Sequence, residues 1–368
     1  MMYEKKIPFL DLSIKNESIL LKNLKSLEKV FRHGRIILGP EVIKLEKAIA
    51  EKCSMKYSLG VNSGSSALFI ALKSLGINEG DEIITTPLSW IATFHAISLC
   101  GAIPVCCDIN DDLNIDCSDI ENSITNKTKA ILPVHYSGLL CDMKKIITCS
   151  KDNNLFVIED AAQAFGSSYF NNSAGSFGDI NCFSMNPMKN LNAYGEAGCI
   201  LTNNKNLFDI CESLRYSGTI DREKAIHKSL NFRIDTIQAA LLLNSLKLLP
   251  EKIKRRRINA KLYNERLSEV VTCPIEPTNY YHSYYNYIIL SNERDLLQKY
   301  LFDNGVETKI HHPILMPDQP IYKNLKKPNI PNARKLVKRI LSLPIHENLK
   351  RNDINYISDK IISFYRNL

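Results

Sequence analysis

Two stretches, IEDAAQAFGSS at residues 158–168 and FSMNPMKNLNAYGEAG at 183–198, decide how this chain is read. Each continues an apolar run of strand length, LFVIED and INCFSM, and each then breaks into small and polar residues. Asp160 closes the first run. Lys189 stands in the loop after the second, before a further strand-like run, GCILTN, with Gly195 and Gly198 allowing close backbone approach. A carboxylate leaving an apolar strand calls for a cationic partner; the alternative is that Asp160 caps a helix formed by AAQAF.

Working outward, DEIITTPL, AIPVCCDI and KAILPVHY are further short strands rich in isoleucine and valine. Between strands lie helical patterns. GPEVIKLEKAIAEKC places Val42, Leu45, Ile49 and Ala50 near helical spacing behind Gly39 and Pro40, and SSALFIALKSLG ends at Gly76. Strands alternating with helices over roughly residues 40 to 205 predict an α/β fold with a mainly parallel sheet flanked by helices. Ligands of such sheets sit beyond the carboxyl ends of the strands. Asp160, Ser184 and Pro87–Trp90 all fall there.

The remainder reads differently. A long helical region covers 234–267, with Pro250 interrupting it. YYHSYYNYIIL, a helix near 292–304 and a helical tail follow. We expect a large domain over 13–249 and a smaller α+β domain over 250–368, completed by residues 1–12.

At 368 residues, with 45% hydrophobic and 23% charged residues, the chain has an ordinary globular composition. The net charge of +8 suits an anionic ligand. The one dense basic run, Lys252, Lys254, Arg255, Arg256 and Arg257, lacks interleaved aromatics and reads as a solvated helix face, so no nucleic-acid partner is expected. Eleven cysteines form no CxxC pair and read as buried thiols of a reducing, cytoplasmic protein. The N-terminus has no signal-peptide pattern. Ser89–Cys107 is apolar but splits into a helix and a strand, so no membrane span is expected.

Several side chains have both a bland and a chemical reading. VNSGSSAL at 61–68 is a plain N-cap, or a phosphate site in which Gly64 and Ser65 offer amides at a helix start, joined by the Ser184 hydroxyl. Trp90, the sole tryptophan, is core or a platform for a flat ring. Gln163, one helical turn past Asp160, shares its face. His135 is a core histidine or an active-site group, and Tyr284, Tyr285 and His282 are strand packing or a sugar pocket. His311 and His312 precede Pro313 without carboxylates or cysteines at ligand spacing, which argues for a pocket or dimer-edge role and no metal. Lys189 with Asp160 suits pyridoxal phosphate, which needs a lysine for a Schiff base and a carboxylate on its pyridine nitrogen.

Taken together, these segments resemble the DegT/DnrJ/EryC1/StrS family of sugar aminotransferases, fold-type I pyridoxal phosphate enzymes. GPEVIKLEKAIAEK, VNSGSSALFIAL, TPLSWIATFHAI, CDINDDLNID, VHYSGLLCDM, IEDAAQAFGSSY, GSFGDINCFS, LNFRIDTIQAALLLNSLKLL and LSLPIHENL carry the resemblance in family order over nearly the whole chain. It implies that Lys189 is the Schiff-base and proton-shuttling lysine, Asp160 the partner of the pyridine nitrogen, Gln163 of the ring oxygen, and Trp90 the cover of one ring face. It implies phosphate binding by Gly64, Ser65 and Ser184, and by Asn231 from the second subunit of a homodimer. Glutamate and a nucleotide-linked or phosphorylated keto-sugar are the implied substrates, in amino-sugar and surface-glycan synthesis. MNPMKNLNAYGEAG departs from the commoner aromatic–His–x–x–Lys and GEGG pattern toward a variant found among 3-keto-sugar enzymes, which favours C3 over C4. The retained lysine argues against the family's dehydratase branch. A dehydratase or lyase on this scaffold, and a cofactor-binding regulator without turnover, are the competing readings.

Overall fold

The computed structural model describes residues 6–368. The main sheet is built from β1 (Tyr57–Val61), β2 (Glu82–Thr85), β3 (Ile103–Cys106), β4 (Thr128–Leu132), β5 (Phe156–Asp160), β6 (Ile180–Ser184) and β7 (Gly198–Thr202). Its spatial order is β1-β7-β6-β5-β4-β2-β3. The β3, β2, β4, β5 and β6 neighbours pair in parallel, whereas β7 runs antiparallel to both β6 and β1. The carboxyl ends of six strands therefore meet at one edge, joined there by the start of β7.

Seven helices are distributed through this half: α1 (Glu17–His33), α2 (Pro40–Lys52), α3 (Gly64–Ser74), α4 (Ala92–Leu99), α5 (Cys117–Ser123), α6 (Met143–Asp152) and α7 (Lys205–Arg215). Strand residues alternate between two cores. Ile131 and Val157 pack with α2 residues Leu45 and Ile49, whereas Ala130, Leu132 and Ile158 pack with α3 residues Ile70 and Leu72. Burial on both faces is why these strands read as continuous apolar runs rather than alternating ones. Each fully buried leucine or isoleucine contributes about 1.5–3 kcal/mol.

α8 (Thr236–Leu267) runs unbroken through Pro250. The expected interruption there is corrected: a proline inside a helix costs about 3 kcal/mol, but Leu242, Leu249 and Ile253 are buried in one core and Ala260, Tyr263 and Leu267 in another. Burial on both flanks outweighs the lost hydrogen bond. The division expected between residues 249 and 250 thus falls within one helix. The C-terminal core gathers the end of α8, the antiparallel pair β8 (Tyr287–Leu290) and β9 (Ile340–Leu343), α9 (Arg294–Asp303) and, after α10 (Pro331–Leu336), α11 (Arg351–Arg366). Ile7 packs into it and pairs with Gly305 and Glu307; residues 1–5 of the expected N-terminal contribution lie outside the described residues.

Two further expectations are corrected. AAQAF forms turns, not a helix, because Asp160 Oδ1 accepts from the Ala162 amide at 3.1 Å and bends the chain immediately after β5. The basic run of α8 is a solvated face only at Lys254 and Arg255. Arg256 is buried and binds Glu347 at 3.1 Å and the carbonyls of Tyr284 and Tyr285, Arg257 grips Glu276, and Lys252 reaches Asn192 and Glu347. These cations hold the Tyr284–Tyr285 turn and residue 347 against α8. All eleven cysteines are unpaired. Among the described residues no helix is long and apolar enough to cross a membrane, and no cluster of three metal-ligating side chains occurs.

Candidate active site

A cavity of about 720 Å³ opens at the carboxyl edge of the sheet. Gly64, Ser65, Trp90, Asp160, Gln163, Ser184, Lys189, His311 and His312 all line it. The topology explains the convergence: β1 leads into Gly64, β2 into Trp90, β5 ends at Asp160, and β6 ends at Ser184 and leads to Lys189.

At one end lies the first turn of α3. Ser63 caps it, its Oγ accepting from the Ser66 amide at 3.1 Å and its carbonyl from Ala67. The Gly64 and Ser65 amides remain for a ligand, backed by the helix dipole. Glycine at 64 is required by proximity: a Cβ there would lie 2.6 Å from Ser184 Cβ. Gly198 serves the same approach, since its Cβ would fall 2.3 Å from the Ser63 carbonyl oxygen. Helix, β6 and β7 thereby form a small polar cradle with the Ser184 hydroxyl at its wall.

Asp160 occupies the cavity floor and is 3% exposed. Its main chain is pinned to the neighbouring strand connections, with its amide on the Pro133 carbonyl at 3.0 Å and its carbonyl accepting from His135 at 3.1 Å. Its side chain accepts from Thr93 Oγ1 at 3.0 Å and from Ala162 N. Burial pushes this carboxyl up, opposed by those two hydrogen bonds and by the charge of Lys189. Among the described residues no lysine or arginine lies within ion-pair distance of it. A buried acid held by two donors, with no cation in direct contact, is fitted to a positively charged ligand.

Lys189 follows a turn closed by its own amide on the Asn186 carbonyl at 2.9 Å. Its Nζ stands 4.4 Å from the centroid of the Tyr285 ring, a cation–π contact. Trp90 is 64% exposed although it faces the cavity, with its ring tilted 49° to His312 at 6.1 Å. Gln163, freed from the expected helix, reaches the site from a turn and accepts from the Ser137 amide at 2.8 Å. His311 and His312 are held neutral. Burial, aided by nearby Lys189 and Lys309, lowers them to about 2 and about 3. His311 contacts Ser342 Oγ at 2.9 Å and His312 the Tyr136 hydroxyl at 3.1 Å. His312 sits at φ +54°, a strained conformation for a non-glycine residue.

Three predicted residues lie elsewhere. His135 is fully buried: its Nδ1 accepts from the Cys141 amide at 3.1 Å, so the proton on Nε2 faces Glu159 Oε1 at 2.9 Å. The core reading, not the substrate reading, describes it. Tyr284 stacks on His282 at 3.9 Å and borders a separate groove of about 780 Å³ on the C-terminal core; its neighbour Tyr285 is the one that enters the site. Asn231 is exposed outside the chain's own cavity, accepting from Arg233 Nε at 2.8 Å. Sequence reading missed Thr93, one helical turn past Trp90, as well as Asn186, Glu196, Lys309 and Gln319. Asn186 donates to Glu196 Oε1 at 2.6 Å, within the loop already notable for its sequence.

The cradle of free amides, the uncompensated Asp160, the open indole face and Lys189 fit a planar cationic ring bearing a phosphate, as in pyridoxal phosphate. Residues 18–362 match the DegT/DnrJ/EryC1/StrS aminotransferase family. A pleiotropic regulatory protein of Geobacillus stearothermophilus is 38% identical, with 98% of this chain and 99% of that protein covered. The UDP-2-acetamido-2-deoxy-3-oxo-D-glucuronate aminotransferase of Pseudomonas aeruginosa is 35% identical over 95% and 98%. The crystal structure of S. venezuelae DesV in complex with a ketimine intermediate superposes with a TM-score of 0.96 at 31% identity, covering 99% of both chains. The chain belongs to the DegT/DnrJ/EryC1/StrS aminotransferase family and is a pyridoxal-phosphate-dependent sugar aminotransferase.

Proposed function

We propose that this enzyme moves an amino group from glutamate to the keto carbon of a nucleotide-linked sugar, at C3 rather than C4. The observation that carries the reading is the placement of Lys189 and the uncompensated Asp160 on one cavity, beside the open ring of Trp90. When bound, pyridoxal phosphate supplies the electron sink. Gly64, Ser65 and Ser184 hold its phosphate, and Asn231 of a second copy completes that end in a homodimer. Trp90 covers one ring face. Asp160, steadied by Thr93 and Ala162, holds the proton at the ring nitrogen, and Gln163 faces the ring oxygen. The Lys189 amine would act as the positioned base and acid of the reaction, taking up the proton of the carbon that bears the amino group and giving a proton back.

Support for C3 comes from the NLNAYGEAG loop and from the 3-oxo sugar in the name of the Pseudomonas relative. The unpaired cysteines suit a cytoplasmic enzyme, and we treat 13–249 and 250–368 with residues 1–12 as its two working units. Incubation with glutamate and a panel of nucleotide-linked 3-keto and 4-keto sugars tests the reading directly. Amino-sugar formation only from 4-keto acceptors would overturn the C3 assignment. A protein that binds cofactor but converts none of them would instead be a regulator, as the name of the Geobacillus relative suggests for that protein; loss of a sugar hydroxyl in place of amination would mark a dehydratase.

A further inference from the structure

Lys309 is a cation of the cavity wall that the transamination chemistry does not use. Two backbone hydrogen bonds to Ser342, at 3.1 and 2.8 Å, fix the chain at this residue. Lys309 opens a continuous run, residues 309–314, that lines the cavity. Glu196, which lines the same cavity, accepts from Asn186, while Glu307 accepts from the Phe9 amide at 3.1 Å and Asp318 pairs with both arms of Arg334. Among the described residues no carboxylate lies within 4 Å of Lys309 Nζ. The two histidines beside it are neutral, so they add no positive charge at physiological pH. With Lys189 committed to the proton transfers, Lys309 is the charge left on this wall to meet an anion.

We propose that Lys309 reads an anionic group of the acceptor sugar, either a carboxylate on the sugar ring or the diphosphate that links it to a nucleotide. The proposal rests on the sugar-aminotransferase reading above and narrows its substrate class. Lys309 and Lys189 line the same cavity and both act on His311 and His312, so an anion held by Lys309 would lie within the substrate cavity while Lys189 serves the reacting carbon. Its attraction is a point charge without fixed geometry, so an arginine should replace it in part.

The test compares wild type, Lys309→Ala and Lys309→Arg as holoenzymes. Acceptors are a UDP-linked keto-sugar with a C6 carboxylate, its counterpart with a C6 hydroxymethyl group, and the corresponding sugar 1-phosphate. Calorimetric binding of the matching amino-sugar products gives a readout independent of turnover. Lys309→Ala should raise KM and product Kd at least tenfold, with kcat changed much less, and Lys309→Arg should recover most of the loss. A loss confined to the carboxylate-bearing sugar identifies the ring carboxylate as the group read. Equal losses for both UDP-sugars identify the diphosphate. Unchanged KM and Kd for acceptors that wild type converts would overturn the proposal and leave the sugar-aminotransferase reading standing, as would a loss confined to the glutamate half reaction. If wild type neither converts these acceptors nor binds their amino-sugar products, the proposal falls, whereas the aminotransferase reading is decided separately by the wider panel of keto-sugars.

Discussion

Thr93 Oγ1 donates a hydrogen bond to Asp160 Oδ2 at 3.0 Å, tying the first turn of α4 to the end of β5. It is the side-chain donor that counteracts burial at the cavity floor. Thr93→Val keeps the shape and removes the donor. A hydrogen bond to a charged group is worth about 1.5–3 kcal/mol, so cofactor Kd should rise about tenfold to a hundredfold, followed by absorbance titration. Asp160→Asn should impair turnover far more. An unaltered Kd in Thr93→Val would show that the hydrogen bond does not position the acid.

Lys189 has no ion-pair partner among the described residues and rests over the Tyr285 ring. Lys189→Ala should therefore fold normally by circular dichroism while losing at least about a thousandfold in turnover. Borohydride treatment of the wild-type holoenzyme should fix cofactor to Lys189 and to no other peptide by mass spectrometry. Retained transamination in the alanine variant would remove the mechanism.

Gly64→Ala probes the phosphate cradle. The new methyl must displace Ser184, a residue anchored in β6, because its Cβ would be 2.6 Å away. Cofactor affinity should drop at least tenfold, with a smaller change in the melting temperature of the apoprotein. Wild-type affinity would mean that the helix start and β6 do not share a ligand.

His135→Ala should damage stability and not substrate binding. It strips a donor from the buried Glu159 carboxylate and an acceptor from the Cys141 amide. The Gly175 and Phe177 amides still serve Glu159, at 2.5 and 3.0 Å, so the expected loss is about 2–4 kcal/mol. Urea unfolding measures it. A raised KM with normal stability would return His135 to the substrate site.

Acid should unfold this protein partly through its histidines. His282, His311 and His312 are lowered from 6.5 to about 3, 2 and 3, in each case first by burial, and His346 is lowered too. Groups depressed in the fold contribute stability above their unfolded value. That stability is lost as pH falls from about 6.5 toward 3, by about 1.4 kcal/mol per pH unit for each histidine protonated only when unfolded. Urea midpoints between pH 7.5 and 5 should fall accordingly, and His282→Phe should flatten the slope. A midpoint that holds constant over that range would contradict the burial.

The strands were legible because burial on both faces makes them uniformly apolar, and LFVIED and INCFSM announced the carboxyl ends that carry Asp160 and Ser184. Two local rules misled. Pro250 should end a helix by propensity, yet long-range packing on either side holds α8 together. AAQAF has helix-forming composition, but the Asp160 side chain captured the Ala162 amide first. Thr93 and Lys309 were illegible for a different reason. Threonine within a helix and lysine in an irregular segment carry no pattern, and their significance arises only when distant segments meet. Tyr284 and Tyr285 show the limit most plainly: adjacent identical residues, of which one packs on His282 and the other faces Lys189.

The continuity of α8 bears on how the cavity opens. One 32-residue helix is rooted at one end among the sheet helices and at the other in the C-terminal core. A flexible tether there would let the two masses swing freely; a rod makes any swing bend a helix whose side chains are locked on both flanks. The connection that follows His312 also borders the cavity, with Ile314 and Gln319 in its lining and Tyr322 edge-on against Phe94. The cavity is thus held in a stiff frame, and its shape is fixed by the same packing that fixes the two cores.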